Sequence, residues 1–392
     1  MSTIINATTT NGVVIQPDNS GSLVLQTNNG TTALTIDTSQ NVTLAGTLAM
    51  SSSFLRNRII NGDMRIAQRG TSAISVSTDP TPRNYPVDRF FCSASGGGVY
   101  STQQSSTVPT GFNNSIINTV TTADSSIAAG DVYYIAHAIE GFNMADLAWG
   151  TADAQTVTLS FWVRSSITGT FSGSIKNNAA NRAYVFTYTI NAANTWEKET
   201  ITIAGDTSGT WETTTSAGAF IAWDLGSGTN FNGTASSWTA GNYLRASSAT
   251  NWIATNGATF YITGVQLEQN TSATPFERRM YGQELANCKR YYQKTYEIGT
   301  ALGTNTNTGA ISVFYNGTYG AANGFRFETE MRASPTLTGY SVGGTSGQWS
   351  IIAGATNTVT FGDLGSKGMR YIQVTSGGSV GYEGHYSASA EL

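Results

Sequence analysis

Residues 156–164 read Thr-Val-Thr-Leu-Ser-Phe-Trp-Val-Arg, and the alternation along them is strict. Val157, Leu159, Phe161 and Val163 fall on one face, and Thr156, Thr158, Ser160 and Arg164 on the other. A period of two commits a segment to a β-strand with one face against a core. The pattern recurs at Tyr184, Phe186, Tyr188 and Ile190, and again at Ile201 and Ile203. Phe260 and Ile262 share a face, and beyond Gly264 the apolar phase moves to Val265 and Leu267, which predicts a bulge there. Many such runs, parted by Gly, Asn and Ser turns, predict an all-β chain with an antiparallel sandwich at its centre.

The 392 residues suffice for two or three domains. Charged residues make up 11% of the chain, well below the roughly 25% of ordinary soluble domains. Hydrophobic residues make up 39%, which excludes a disordered chain and leaves a neutral surface rich in hydroxyls and amides. A net charge of −4 provides no basic field for nucleic acid. Of the 20 basic residues, 15 are Arg, a bias towards fixed structural pairing. Cys92 and Cys288 form neither a metal pattern nor a disulfide framework, and read as free buried thiols of a chain assembled in a reducing cytosol. No apolar run is long enough to predict a membrane span, and the N-terminal residues do not read as a signal peptide.

Four regions are expected. Residues 1–53 carry strand-turn units of about ten residues, with apolar runs at Val13-Val14-Ile15, Leu23-Val24-Leu25, Leu34-Thr35-Ile36 and Val42-Thr43-Leu44. So short a region cannot enclose a core alone, and its one-sided apolar faces need cover. It is read as an intertwined homo-oligomeric stem, a trimer. Residues 54–279 hold the sandwich. Residues 280–295 are a helical connector: Thr274-Pro275-Phe276-Glu277 has a capping-box pattern, and a short helix to about Asn287 would pair Tyr281 with Leu285. Residues 296–392 read as a C-terminal β domain with strands at Ile311-Val313-Tyr315 and Phe325-Phe327-Thr329-Met331. The second strand would turn Arg326, Glu328, Glu330 and Arg332 outward.

Few residues offer chemistry. His137 shares a face with Tyr133, Ile135 and Ile139 and reads as a hydrogen-bonded core histidine, whereas His385 reads as exposed. Neither belongs to a zinc pattern, and no metal or cofactor is expected. Gly377-Gly378-Ser379-Val380-Gly381 matches the nucleophile-elbow spacing, but no helical pattern follows it, so it reads as a loop. Among 24 carboxylates, Asp206, Glu212 and Asp224 lie in a Trp-rich stretch and are the candidates for a glycosidase pair, with turn carboxylates the plainer reading. That stretch holds five of the eight tryptophans: Trp196, Trp211, Trp223, Trp238 and Trp252. An indole beside amides and hydroxyls can stack on a sugar face while its neighbours replace water at the sugar hydroxyls. Trp238 and Trp252, with Trp211, are the expected glycan contacts, with core packing the competing reading for each of the five. Arg56, Arg58, Arg65 and Arg69, and then Arg278, Arg279, Lys289 and Arg290, read as ion pairs at junctions between regions or subunits.

Several segments resemble a known family. Asn57-Arg58-Ile59-Ile60-Asn61-Gly62-Asp63-Met64, followed by Pro86-Val87-Asp88-Arg89-Phe90, resembles the opening of the jelly-roll module in fibre proteins of tailed bacteriophages. Ile139–Asn143, Leu159–Val163, Asn194–Glu197 and Gly205–Trp211 are similar to its middle strands. Ile262–Glu268, Ala273–Glu277 and Cys288–Tyr292 are similar to its close. Leu34-Thr35-Ile36-Asp37 resembles fibre stems, and Met331–Pro335 with Ala388–Leu392 resembles fibre C-termini. The likeness covers most of the chain and is densest over 55–295.

The resemblance implies a virion fibre, trimeric, with a jelly roll similar to carbohydrate-binding modules. It supplies no catalytic residue. The expectation is therefore a non-enzymatic homotrimer in the virion, assembled in the bacterial host cytoplasm. It would attach to other virion proteins through residues 1–50 and bind host surface polysaccharide by Trp stacking and Asn/Ser/Thr hydrogen bonds, with little salt dependence. No nucleic-acid binding and no membrane insertion are expected. Two alternatives stand beside it: a head fibre, decoration or tail connector that binds no receptor, and a polysaccharide depolymerase.

Overall fold

The structure, a computed structural model, describes residues 23–27, 31–40, 42–44, 56–77, 83–314, 325–352, 354–374 and 381–392. The chain divides into two compact units, Met1–Phe54 and Leu55–Leu392. In the first, β1 (Leu23–Thr27), β2 (Thr31–Ile36) and β3 (Val42–Leu44) form an antiparallel sheet in the order β1-β2-β3. These are three of the expected runs, and Val13-Val14-Ile15 lies outside the described residues. Val24 and Leu25 are adjacent, so they leave opposite faces of β1, and both are exposed, as is Val42. Apolar side chains therefore stand on both sides of this small sheet, not on the single side expected.

The second unit is an antiparallel sandwich followed by a helix and a C-terminal sheet. The sandwich strands in chain order are β4 (Ile74–Val76), β5 (Asn84–Val87), β6 (Phe90–Ser95), β7 (Val99–Ser105), β8 (Ser115–Thr122), β9 (Val132–Glu140) and β10 (Val157–Ser165). There follow β11 (Gly169–Lys176), β12 (Arg182–Ile190), β13 (Glu197–Ile203), β14 (Ala217–Asp224), β15 (Trp238–Ala240) and β16 (Thr259–Glu268). One sheet runs β13-β10-β16-β8-β7-β4, and the other β15-β12-β11-β14-β9-β6-β5. The core lies between them, and the alternating residues fill it. Val157, Leu159, Phe161 and Val163 meet Phe186, Tyr188 and Ile190 there, together with Phe260, Ile262, Val265 and Leu267. The phase change at Gly264 is a bulge: Ser160 pairs with Gln266 but Trp162 with Thr263, and Gly264 takes φ +63°. A Cβ there would lie 2.7 Å from Phe112 Cζ and 2.9 Å from Trp162 Cδ1, so both the dihedral and the space require glycine.

Helix α1 spans Tyr281–Lys289, and no side chain caps its N-terminus. Thr274 and Glu277 are engaged elsewhere: Thr274 Oγ1 donates to Glu268 Oε2 at 2.7 Å, and Glu277 accepts the Asn57 amide at 2.7 Å. The capping-box reading is thus corrected, because the Thr hydroxyl is already committed to the end of β16. The buried face of α1 carries Glu284 and Cys288, while Tyr281 stands exposed, so the expected Tyr281–Leu285 pair does not form the packing face.

The C-terminal strands are β17 (Tyr292–Lys294), β18 (Ile311–Phe314), β19 (Phe325–Arg326), β20 (Thr336–Ser341), β21 (Gln348–Ile351), β22 (Thr356–Gly365), β23 (Gly368–Val374) and β24 (Gly381–Ser389). They share their own core around Trp349, Ile372, Tyr382 and Tyr386. The expected strand through Met331 is cut to the two residues of β19. Phe327 and Met331 are buried as expected, but Arg332 turns inward and donates to the carbonyls of Thr215, Ala390 and Glu391. Tyr315 and residues 377–380 of the Gly-Ser motif lie outside the described residues.

Candidate functional site

Adjacent aromatic residues on two strands create the site. In a strand, neighbours point to opposite faces. Phe90 and Tyr133 enter the main core, so Phe91 and Tyr134 must leave the outer face of the seven-stranded sheet. On β14, Ala219, Ile221 and Trp223 face inward, which puts Phe220 and Ala222 on that same outer face. The register aligns these residues in rows. Lys176 pairs with Phe220, Ala222 with Ala136, and Ala136 with Phe91. The small side chains of Ala136 and Ala222 leave a trough between the larger walls.

The trough is a groove of about 260 Å3 lined by Phe91, Tyr134 and Phe220 and rimmed by Arg83, Lys176, Asn177, Asn178 and Asn242. Phe91 is buried and covered by the Arg83 guanidinium, 4.2 Å from its ring centroid, while Tyr134 and Phe220 are half-buried. Arg83 Nη1 donates to a main-chain oxygen of Leu392 at 2.7 Å, and Lys176 Nζ donates to Asn242 Oδ1 at 2.7 Å. Burial, and next the Arg83 charge, push the Lys176 ammonium down to about 8. Asn177 holds the turn of 177–182: its Oδ1 accepts the Asn181 and Arg182 amides. Arg83 also lines a second cavity of about 960 Å3, where Thr336 pairs with Ser389 and Thr338 with Ser387 between the rings of Tyr85, Tyr292 and Tyr340. An apolar floor with convergent amides and cations can hold a ring by its face and fix polar substituents at its edge.

The tryptophans expected at the site lie elsewhere. Trp252 is fully buried, edge-on to Tyr100 at 5.9 Å, so its reading as a contact residue is corrected: the short turn at 252–254 drives it into the sandwich core. Trp211 is buried and Trp238 half-buried, and with Trp149 they form a cluster of mutually perpendicular rings 4.8 to 5.4 Å apart. Their indole N–H groups are spent on the backbone, Trp238 on Ala204 and Trp211 on Ser208. The cluster pins loops together. Phe91, Tyr134 and Phe220 escaped the sequence reading, although the doublets Phe90-Phe91 and Tyr133-Tyr134 signal strands apolar on both faces.

The remaining candidates are structural. Asp206 is held by Arg182 through two bonds of 2.8 and 2.6 Å, and Asp224 accepts the Gly226 and Ser227 amides beside Arg245. His137 is buried and bonded to the Ile60 carbonyl at 3.2 Å, as expected of a core histidine. His385 is also fully buried, stacked 3.8 Å from the Tyr296 ring, which corrects its reading as exposed: β24 runs through the middle of its sheet and turns the imidazole inward. Cys92 and Cys288 are free and buried. The arginine clusters pair within the chain, Arg58 with Asp146, Arg69 and Arg89 with Glu391, Arg279 with Glu284, and Arg290 with Glu140. The motifs at 57–64 and 262–268 bind each other: Asn57 Oδ1 accepts the Ile59 and Leu267 amides, and its Nδ2 donates to Val265. Among the described residues no cluster of His, Cys, Asp and Glu suits a metal ion, and no helix is long and apolar enough to cross a membrane.

No protein-family model and no curated protein matches the chain. Similar solved structures include the enzymatically active domain of tailspike protein 4 of bacteriophage CBA120, at 13% identity and TM-score 0.30, over 56% of this chain and 22% of that one. A family 4 carbohydrate-binding module matches at 16% identity and TM-score 0.28, over 54% of this chain and 99% of its own. A family 11 carbohydrate-binding module from Clostridium thermocellum, in complex with a β-1,3-1,4-mixed-linked tetrasaccharide, matches at 11% identity and TM-score 0.26, over 47% of this chain and 91% of its own.

Proposed function

We propose that the chain is a bacteriophage virion fibre, a homotrimer joined to the virion through residues 1–50, that holds host surface polysaccharide in the outer-face groove without cutting it. The observation that carries the binding is the groove itself, with Tyr134 and Phe220 half-exposed across an alanine floor and amides of Asn178 and Asn242 at the rim. A sugar ring laid on this floor desolvates its C–H face, and the amides replace water at its hydroxyls. The fibre assignment is supported by the resemblance over residues 55–295 and by the stem sheet, whose exposed Val24, Leu25 and Val42 suit cover by other copies. The absence of cleavage is supported by Asp206 and Asp224, each committed to an arginine and to turn amides. Three grooves on one particle would convert weak contacts into firm attachment.

The test uses the full chain, fluorescently labelled, on host cells with and without their surface polysaccharide. Retention is expected on intact cells only, and Phe220→Ala is expected to lower it severalfold at an unchanged melting temperature. Equal retention of Phe220→Ala and the parent would remove the groove from the reading.

A further inference from the structure

The groove holds a cation, Lys176, whose hydrogen-bond partner is neutral. Lys176 closes β11 and enters the groove beside Phe220, its partner in the β11–β14 ladder. Its ammonium lies 2.7 Å from Asn242 Oδ1, a neutral acceptor. Among the described residues lining the groove there is no Asp or Glu side chain. The other cation of the rim, Arg83, stacks on Phe91, gives one nitrogen to a main-chain oxygen of Leu392 and acts on Lys176 through its charge. The chain as a whole carries −4, so the local excess is a property of this place and not of the surface at large.

A half-buried cation beside a second cation gains when an anion joins it. Its depressed proton affinity has the same origin, burial first and Arg83 second. Elsewhere Arg89 pairs with Glu391 and Arg245 with Asp224, while the buried Lys294, like Lys176, has a neutral acceptor, the Thr300 carbonyl. Lys176 differs from Lys294 in standing at an open trough floored by alanines beside two aromatic rings.

We infer that the groove is built for an acidic sugar, with the carboxylate on Lys176 and the ring against Phe220 and Tyr134. This rests on the glycan-binding reading and names the substrate class of that same site. The carboxylate would take the ammonium as a charge-assisted hydrogen bond, and the rings would exclude water around it. A salt-sensitive component of binding follows, in place of the salt independence that stacking alone predicts.

The experiment prints uronate- and sialate-containing oligosaccharides on an array, each beside its carboxyl-reduced neutral form, and probes it with the full chain. Inorganic sulfate and phosphate are titrated as free anions. The expected result is about tenfold stronger retention on at least one acidic member than on its reduced twin. The preference should vanish in Lys176→Met and persist in Lys176→Arg, both checked for an unchanged melting temperature. Equal binding of acidic and reduced forms, binding of neutral forms alone, or a preference that survives Lys176→Met would overturn the inference and leave the glycan reading standing. Competition by free sulfate or phosphate as effective as by the acidic sugar would reduce the site to an anion site and overturn it as well. Silence on every acidic and neutral member would instead sink the glycan reading itself.

Discussion

His137 illustrates how a single residue can be placed by sequence and still carry a cost. Its Nε2–H donates to the Ile60 carbonyl, its Nδ1 meets no hydrogen-bond partner among the described residues, and the ring meets Phe90 edge-on at 4.9 Å. Burial, and then Arg89, hold the imidazole well below its ordinary value of 6.5, so the folded chain keeps it neutral. As pH falls below about 6.5 the unfolded chain takes up the proton first, and stability is lost by about 1.4 kcal/mol per pH unit. Asp88 acts in the opposite sense: burial raises its carboxyl from 3.8 to about 6, so between those values the folded chain binds the proton first and gains stability. Comparing the parent with His137→Gln isolates the histidine. The stability advantage of the parent, from urea unfolding, should be smaller at pH 5 than at pH 7.5. An advantage independent of pH would show that this imidazole does not titrate on unfolding.

Among the elements, β16 is the one most completely legible in the sequence, because the change of apolar phase across Gly264 can arise only where a strand gains a residue. A Gly264→Ala variant must carry φ +63° with a side chain and push against Phe112 and Trp162. It should lose about 1–3 kcal/mol in thermal or chemical unfolding, with sugar binding unchanged, since the groove belongs to the other sheet. A variant as stable as the parent would mean the bulge can move along the strand. Helix α1 was less legible. Thr274-Pro275-Phe276-Glu277 carries the composition of a cap, but the nearby Glu268 takes the Thr274 hydroxyl and Asn57 takes Glu277, and a local pattern cannot reveal a partner more than two hundred residues away such as Asn57. Trp252 misled for a related reason: a loop-like flank says that a ring is near the surface, not whether the turn drives it into the core. The site was readable only in the doublets Phe90-Phe91 and Tyr133-Tyr134, which assign one ring to the core and one to the opposite face, while the alanines that make the trough carry no signal of their own.

At the scale of the molecule, the low charge, the stem and the groove bear on one another. A surface with few charges does not repel its copies, so copies can associate wherever apolar groups match. In β1 the adjacent Val24 and Leu25 leave opposite faces, and β2 and β3 complete a sheet too small to bury either face by itself. A single partner on one face would leave the other wet, whereas chains wrapped around a common axis can cover both. In the proposed trimer, burial of apolar area at this sheet, at roughly 25 cal/mol per Å2, is the main term holding the copies together. A double substitution, Val24→Glu with Val42→Glu, places like charges on those exposed positions and should shift the mass measured by light scattering from three chains to one. The second compact unit, Leu55–Leu392, which holds the sandwich core, should keep its unfolding midpoint in the same variant. Cell retention should fall more steeply than the affinity of one groove for a soluble oligosaccharide, because only the trimer engages several sugars at once. A variant still trimeric would move the assembly contacts out of these three strands, and a monomer retained on cells as firmly as the parent would remove avidity from the account of attachment.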